Sequence, residues 1–191
     1  RSVPCVQGNH DAWVVKNYRD DNLVMIPMAE RAWVHHNANL LDEADITYLE
    51  QLPQARTFVL DTVPYCMTHL YQEYEEIVSI HAYQTFLQQM VGTASAPAIR
   101  RLILGHTHRQ AVRYLADDLL WINPGSASYR RRDDPDQSAH YAVIVDGAIS
   151  IRRLDYDLMP LRSYVEKVSL KAAEVAVAQR FFSARHEERN S

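Results

Sequence analysis

Leu102-Ile103-Leu104-Gly105-His106-Thr107-His108 decides how the rest of the chain is read. Its apolar start reads as a short buried strand, and Gly105 ends it. The turn that follows carries two histidines separated by one residue. Two other segments share this layout, an apolar strand followed by a tight turn bearing His or Asn. Val3-Pro4-Cys5-Val6-Gln7 runs into Gly8-Asn9-His10-Asp11, and Val63-Pro64-Tyr65-Cys66-Met67 runs into Thr68-His69. Strand ends in α/β sheets commonly gather at one rim, where ligands bind. If these three ends meet, Asn9, His69, His106 and His108 form a cluster of neutral nitrogen and oxygen donors.

Imidazole suits zinc, iron and nickel, and oxygen donors favour harder ions such as manganese. The spacing of His106 and His108 on a turn lets each ring reach a different ion, with the ions about 3.5–4 Å apart as in two-metal hydrolases. Gly8 and Gly105 are expected to allow close backbone approach and unusual dihedrals. Each piece alone is ordinary: His-x-His is frequent in surface loops, Gly-Asn is a common turn, and His69 alone reads as a satisfied strand-end histidine. Their order along the chain, each behind an apolar strand, points to a metal site.

Outward from these turns, helices are expected at residues 28–40 and 42–52, the second capped by Asp42 and followed by Pro53. Strands are expected at 57–60 and 63–68 around Asp61-Thr62, and a helix at 77–90 that stops near Gly92. Hairpins follow at 111–115 with 119–123, and at 141–145 with 148–154, the latter turning at Asp146-Gly147. A helical tail is expected at 161–182. Helices and strands alternate early and hairpins dominate late, which implies a mixed α/β (α+β) architecture rather than a purely parallel sheet.

A chain of 191 residues suits one domain spanning 1–191. With 20 Lys+Arg against 24 Asp+Glu and a net charge of −4, broad binding to nucleic acid or anionic membrane is not expected. No apolar run approaches a membrane span, and the cytoplasm is the default location. The two cysteines, Cys5 and Cys66, read as buried free thiols. Trp13, Trp33 and Trp121 read as core or rim packing, and His35, His36, His81, His140 and His186 lack partner spacing.

Taken in order, Gly8-Asn9-His10-Asp11, Thr68-His69, Gly105-His106-Thr107-His108 and Asn123-Pro124-Gly125-Ser126 resemble the calcineurin-like metallophosphoesterase superfamily. The last motif is similar to the bacterial and archaeal phosphodiesterase-like branch. Residues 32–53 resemble the helical insert of diadenosine-tetraphosphatase-like relatives. The resemblance implies a four-layer αββα sandwich with two mixed sheets between helices. It implies hydrolysis of a small phosphodiester or phosphomonoester, nucleotides among the candidates, by a hydroxide held between two divalent ions. Manganese is the expected metal, with iron, zinc, nickel and magnesium as alternatives. Asn9, His69 and His106 would bind one ion and His108 the other. His10 would face the leaving group without binding metal, and Asp11 would either orient His10 or serve the backbone. Arg109 and Arg131 are candidates for contact with the substrate phosphate.

Relatives begin with Asp-x-His and Gly-Asp-x-x-Asp, which supply the carboxylate ligands; neither motif occurs here. An upstream strand–helix–strand segment is therefore expected. Without it the strand at 3–7 would be a sheet edge, and pairing with a second copy is one expected outcome. Leu70 stands where many relatives have glycine. The competing reading is a catalytically incomplete module of this fold that binds a protein partner, as a eukaryotic retromer subunit does. A single-metal oxygenase, which wants two histidines and a carboxylate, is a weaker alternative.

Overall fold

The computed structural model describes residues 3–20, 24, 26–28, 31–72, 75–128, 138–167 and 175. The helices are α1 (Asn9–Asp20), α2 (Arg31–Leu40), α3 (Glu43–Glu50), α4 (Ile80–Val91) and α5 (Met159–Lys167). The strands are β1 (Ala55–Leu60), β2 (Val63–Thr68), β3 (Arg101–Ile103), β4 (Gln110–Tyr114), β5 (Leu120–Pro124), β6 (Ala139–Val145) and β7 (Ala148–Leu154). One mixed sheet has the order β1-β2-β3-β5-β4, and β6 pairs with β7 in a second. Strands β2, β3 and β5 run parallel at its centre, flanked by the antiparallel β1 and β4.

Side-chain alternation explains the layers. Successive residues of a strand point to opposite faces, so Cys66, Leu102 and Trp121 join Tyr83, Phe86 and Leu87 of α4 on one side. Their neighbours Tyr65, Leu120 and Ile122 meet Ala142, Ile144 and Ile149 of the β6–β7 hairpin on the other. Strand β5 is covered on both faces, and its run Leu120-Trp121-Ile122-Asn123 is buried throughout, the pattern of a central strand. The mixed α/β sandwich expected from the sequence is present; among the described residues its second sheet is an antiparallel pair rather than a mixed one. A separate apolar cluster of Val14, Ile26, Val34, Ala38 and Ile46 joins α1, α2 and α3.

Three local expectations are corrected. Residues 3–7 are not a strand. Val3 is 77% exposed, and the segment is held by the Gln7 N–H bond to the Pro53 carbonyl (3.0 Å) and by Gln7 side-chain bonds to the Leu49 carbonyl and Gln54. A ladder needs a partner strand, and among the described residues none runs beside it. Second, Gly8-Asn9-His10-Asp11 is the start of a helix rather than a turn. The Asp11 carboxylate accepts the Gly8 N–H (2.8 Å), and Ala12 N–H donates to the Gly8 carbonyl (3.1 Å), the carboxylate half of a capping box. Third, α4 starts at Ile80 rather than 77, because the extended Ser79 caps it through Oγ accepting from Ala82 N–H. Ile77, left outside the helix, is buried in the core. Of the tail expected at 161–182, the part beyond Lys167 lies outside the described residues except for Val175.

Helix α3 carries the fullest cap. Asp42 Oδ1 accepts from Ala44 and Asp45 N–H at 2.9 Å, and the Asp45 carboxylate accepts from Asp42 N–H. Asp42→Ala is expected to lower unfolding stability by about 1 kcal/mol, measured by urea titration with the slope unchanged. A loss below a few tenths would show that tertiary packing of Ile46 alone holds α3.

Candidate metal centre

Parallel pairing of β2 and β3 sets the site. Strand β2 ends at the buried Thr68, whose hydroxyl donates to the Gln54 carbonyl (2.9 Å), and His69 follows. Beyond β3, Leu104 N–H donates to the Ile122 carbonyl (2.8 Å) and Gly105 N–H to the His69 carbonyl (2.9 Å). The two strand ends thus stop level with each other, and the His69 and His106 rings lie 5.3 Å apart, edge to face. The first turn of α1 closes the third side: the His69 Nε2–H donates to Asn9 Oδ1 at 2.8 Å.

Two glycines make room for this ring. A Cβ on Gly8 would stand 3.3 Å from His69 Cε1 and Nδ1, and one on Gly105 would stand 3.5 Å from Nδ1. Close approach to the ring accounts for Gly8, while at Gly105 a Cβ would make ordinary van der Waals contact. Neither glycine has a positive φ, so the expected unusual dihedrals fall elsewhere. They fall on His106 and His108, at φ 60° and 59°, a left-handed conformation costing about 1–3 kcal/mol for a residue with a Cβ. Asn123 holds that loop in place. Only 2% exposed, it donates through Nδ2 to the Gly105 carbonyl (2.6 Å) and Thr107 Oγ1 (3.0 Å), and accepts the Gly125 N–H (2.9 Å). The sequence marks Asn123-Pro124-Gly125-Ser126 only as a motif; its physical job is to clamp the histidine loop. Leu70 has no positive φ, so the turn after His69 does not demand glycine.

The remaining candidates are placed as follows. His10 is exposed in the first turn of α1, and its ring packs against Trp13 (5.1 Å) and Trp33 (4.7 Å). Asp11 is engaged with the Gly8 N–H, the structural alternative for this residue. His108 is half-buried in the same loop as His106, and Arg109 beyond it is exposed. Arg131 lies outside the described residues. A cavity of about 370 Å³ opens beside His106, lined among others by Tyr71, Glu76, Arg109 and Arg113. Asn9, His10 and His69 are not part of its wall. His140, unassigned from sequence, pairs with Gln110 and with the Ser138 carbonyl, tying β4 to β6 beside Gly125.

Burial pushes the His69 imidazole down to about 4, and the neighbouring His106 and His10 push the same way. At neutral pH it is therefore uncharged, the form that ligates metal. Asn9 Oδ1 and His69 Nε2 lie 2.8 Å apart, close to the ~3 Å between two donors of one ion at about 2.1 Å and right angles; Nε2 would meet an ion once its proton has moved to Nδ1. Among the described residues no three His, Cys, Asp or Glu side chains form a metal-holding group. The donor set present is an amide and imidazoles, suited to one side of a divalent site and lacking the carboxylates that would balance its charge.

A family model described as the calcineurin-like phosphoesterase superfamily domain matches residues 1–146. The structure resembles a hypothetical protein of Pyrococcus horikoshii OT3 at a TM-score of 0.66 and 13% identity, covering 94% of this chain and 72% of that one. It also resembles a metallophosphoesterase from Sphaerobacter thermophilus at a TM-score of 0.58 and 18% identity, covering 92% of this chain and 75% of that one. At these identities the likeness concerns the fold. No curated protein matches the chain, and no helix among the described residues is long and apolar enough to cross a membrane.

Asn123→Ala would leave the Gly125 N–H without this partner and the Gly105 carbonyl with only the Thr107 N–H, and is expected to cost about 2 kcal/mol and to broaden the His106 ring signals in NMR spectra. Unchanged stability and sharp signals would show that the loop holds itself.

A second expectation concerns pH. The folded state keeps His69 neutral below its ordinary 6.5, so between 6.5 and about 4 the unfolded chain binds the extra proton. The resulting stability is full above 6.5 and is lost as pH falls toward 4. With chelator present, the melting temperature advantage of wild type over His69→Gln should shrink across that window. A constant difference would mean that the ring is solvated.

Proposed function

Because the chain belongs to the calcineurin-like phosphoesterase superfamily, we propose that the protein hydrolyses a small phosphodiester or phosphomonoester with divalent metal ions, manganese first among them. The observation that carries this reading is the half-buried, neutral His69, bonded to Asn9 and set against His106 between two glycines. Asn9, His69 and His106 would hold one ion, and His108 in the same loop the second. Bound there, divalent ions supply Lewis acidity and an acidified water.

The chain's own residues do the rest. Gly105, Asn123 and Thr107 keep the histidine loop fixed, so no reorganisation is needed during reaction. The N-terminal turn of α1 sits at the cluster, and its partial positive charge favours a phosphate. His10, exposed on that turn and next to Asn9 in sequence, would donate a proton to the departing oxygen. Arg109 would contact the substrate where the cavity opens beside His106. Carboxylates of the kind that relatives carry on Asp-x-His and Gly-Asp-x-x-Asp would complete the charge balance.

The test is hydrolysis of bis-p-nitrophenyl phosphate and p-nitrophenyl phosphate by the whole protein with manganese, and loss of that hydrolysis with chelator. On a methyl phosphodiester, whose leaving oxygen needs a proton, His10→Ala is expected to lower kcat about a hundredfold, with little loss on the nitrophenyl esters, while bound metal, measured by mass spectrometry, stays the same. His69→Ala is expected to lose metal as well as activity. If His10→Ala strips the metal, the division between ligand and acid is wrong.

A further inference from the structure

We propose that Trp33, together with Trp13, positions the His10 imidazole for proton transfer, which makes the helical segment carrying α2 part of the working site; this rests on the phosphoesterase reading above. His10 is exposed in the first turn of α1, so burial alone does not fix its ring. In water such a side chain samples several rotamers. Here two indoles bracket it. Trp13 lies three residues on along the same helix, the spacing at which helical side chains meet, with its ring 5.1 Å from the imidazole and tilted by 32°. Trp33 comes from α2, with its ring 4.7 Å away and tilted by 55°. Both separations fall in the range where tilted aromatic rings attract.

The indoles are themselves anchored. Each is half-buried against the cluster of Val14, Val34 and Ile46 that joins α1, α2 and α3. The imidazole is thus held against side chains fixed by a core. Its neighbour Asn9 is bonded to His69, so the backbone around His10 is registered to the candidate metal donors as well. An acid misplaced by about 1 Å loses about a hundredfold in rate, and an imidazole free to turn on its Cα–Cβ bond moves farther than that. A purely structural Trp33 could fill the helical core without touching His10; the contact with an exposed ring is what the positioning role explains.

Two measurements test this. In metal-free protein, the His10 ring protons should resonate upfield through the indole ring currents. Trp33→Ala should remove much of that shift, and Trp33→Phe should keep part of it. In the metal-loaded whole protein, a methyl phosphodiester and a nitrophenyl phosphodiester separate the need for an acid, because nitrophenolate leaves unaided. Trp33→Ala should slow kcat about tenfold to a hundredfold on the methyl ester, and little on the nitrophenyl ester, with KM unchanged. Trp33→Phe should recover most of the rate, and Trp33→Ala added to His10→Ala should slow the enzyme no further. Unshifted His10 signals in the wild type would overturn the proposal. So would equal losses on both esters, or additive losses in the double variant. Wild-type protein inert toward both esters would end the phosphoesterase reading and this proposal with it. A leaving-group effect in His10→Ala that is absent from Trp33→Ala would end the proposal alone.

Discussion

Everything at the site depends on one imidazole lodged between two places where a Cβ is missing. His69 leaves the end of β2, lies within van der Waals reach of Gly8 and Gly105, and is bonded through its ring to Asn9 and through its carbonyl to Gly105. These contacts tie three separate parts of the chain together: the start of α1, the end of β2 and the turn after β3. The helical cluster is otherwise linked to this edge of the sheet through polar bonds at Gln7, Pro53 and Gln54. At Gly105 a Cβ would meet its neighbours at ordinary van der Waals contact, whereas a side chain larger than glycine at Gly8 would push the ring or its neighbours by a few tenths of an ångström. Such a shift is small for stability and large for a donor that must meet an ion at a fixed distance.

The second constraint is the left-handed backbone at His106 and His108. Glycine would adopt it freely, but glycine brings no imidazole. The chain places histidines there and recovers the strain through Asn123, whose two amide hydrogens and carbonyl oxygen are all used on the loop and on the Gly125 turn. Because Asn123 belongs to the fully buried β5, the clamp inherits the rigidity of the central strand. Support then runs outward through Gln110 and His140 to the second sheet. The histidine loop is irregular backbone braced by regular structure on two sides.

Most of the sheet was legible because its strands obey simple rules: apolar runs in β2 and β5, and turns at Asp61-Thr62 and Asp146-Gly147 where the structure also has positive φ. The candidate donors were legible as motifs following apolar runs, and the side chains of Asn9, His69 and His106 do come together. What was not legible has physical causes. Helix α1 buries only Val14 and Asn17, so its apolar face is too narrow to announce a helix, and its cap uses glycine with an aspartate three residues on. Residues 3–7 look like a strand by composition, but strand formation depends on a partner that local sequence does not encode. The jobs of Asn123 and Ser79 are single side-chain hydrogen bonds, which motif reading can locate but cannot assign.

The histidines make the same point from the side of chemistry, since one side chain type takes several parts according to its surroundings. His69 is half-buried and kept uncharged by desolvation, so one ring nitrogen carries a free lone pair at neutral pH. His106 is held by loop geometry at the edge of that ring. His140 is bonded to Gln110 and Ser138, where its work is to join two sheets. His10 alone of these four is exposed, and its ring packs against two indoles. A metal donor must be desolvated and rigid, because an ion rewards only a fixed distance. A proton donor must be reachable and be able to exchange its proton with water between turnovers. Burial separates these two demands within a single cluster, and it does so by placing the first turn of α1 across the site so that Asn9 faces inward and His10 faces out.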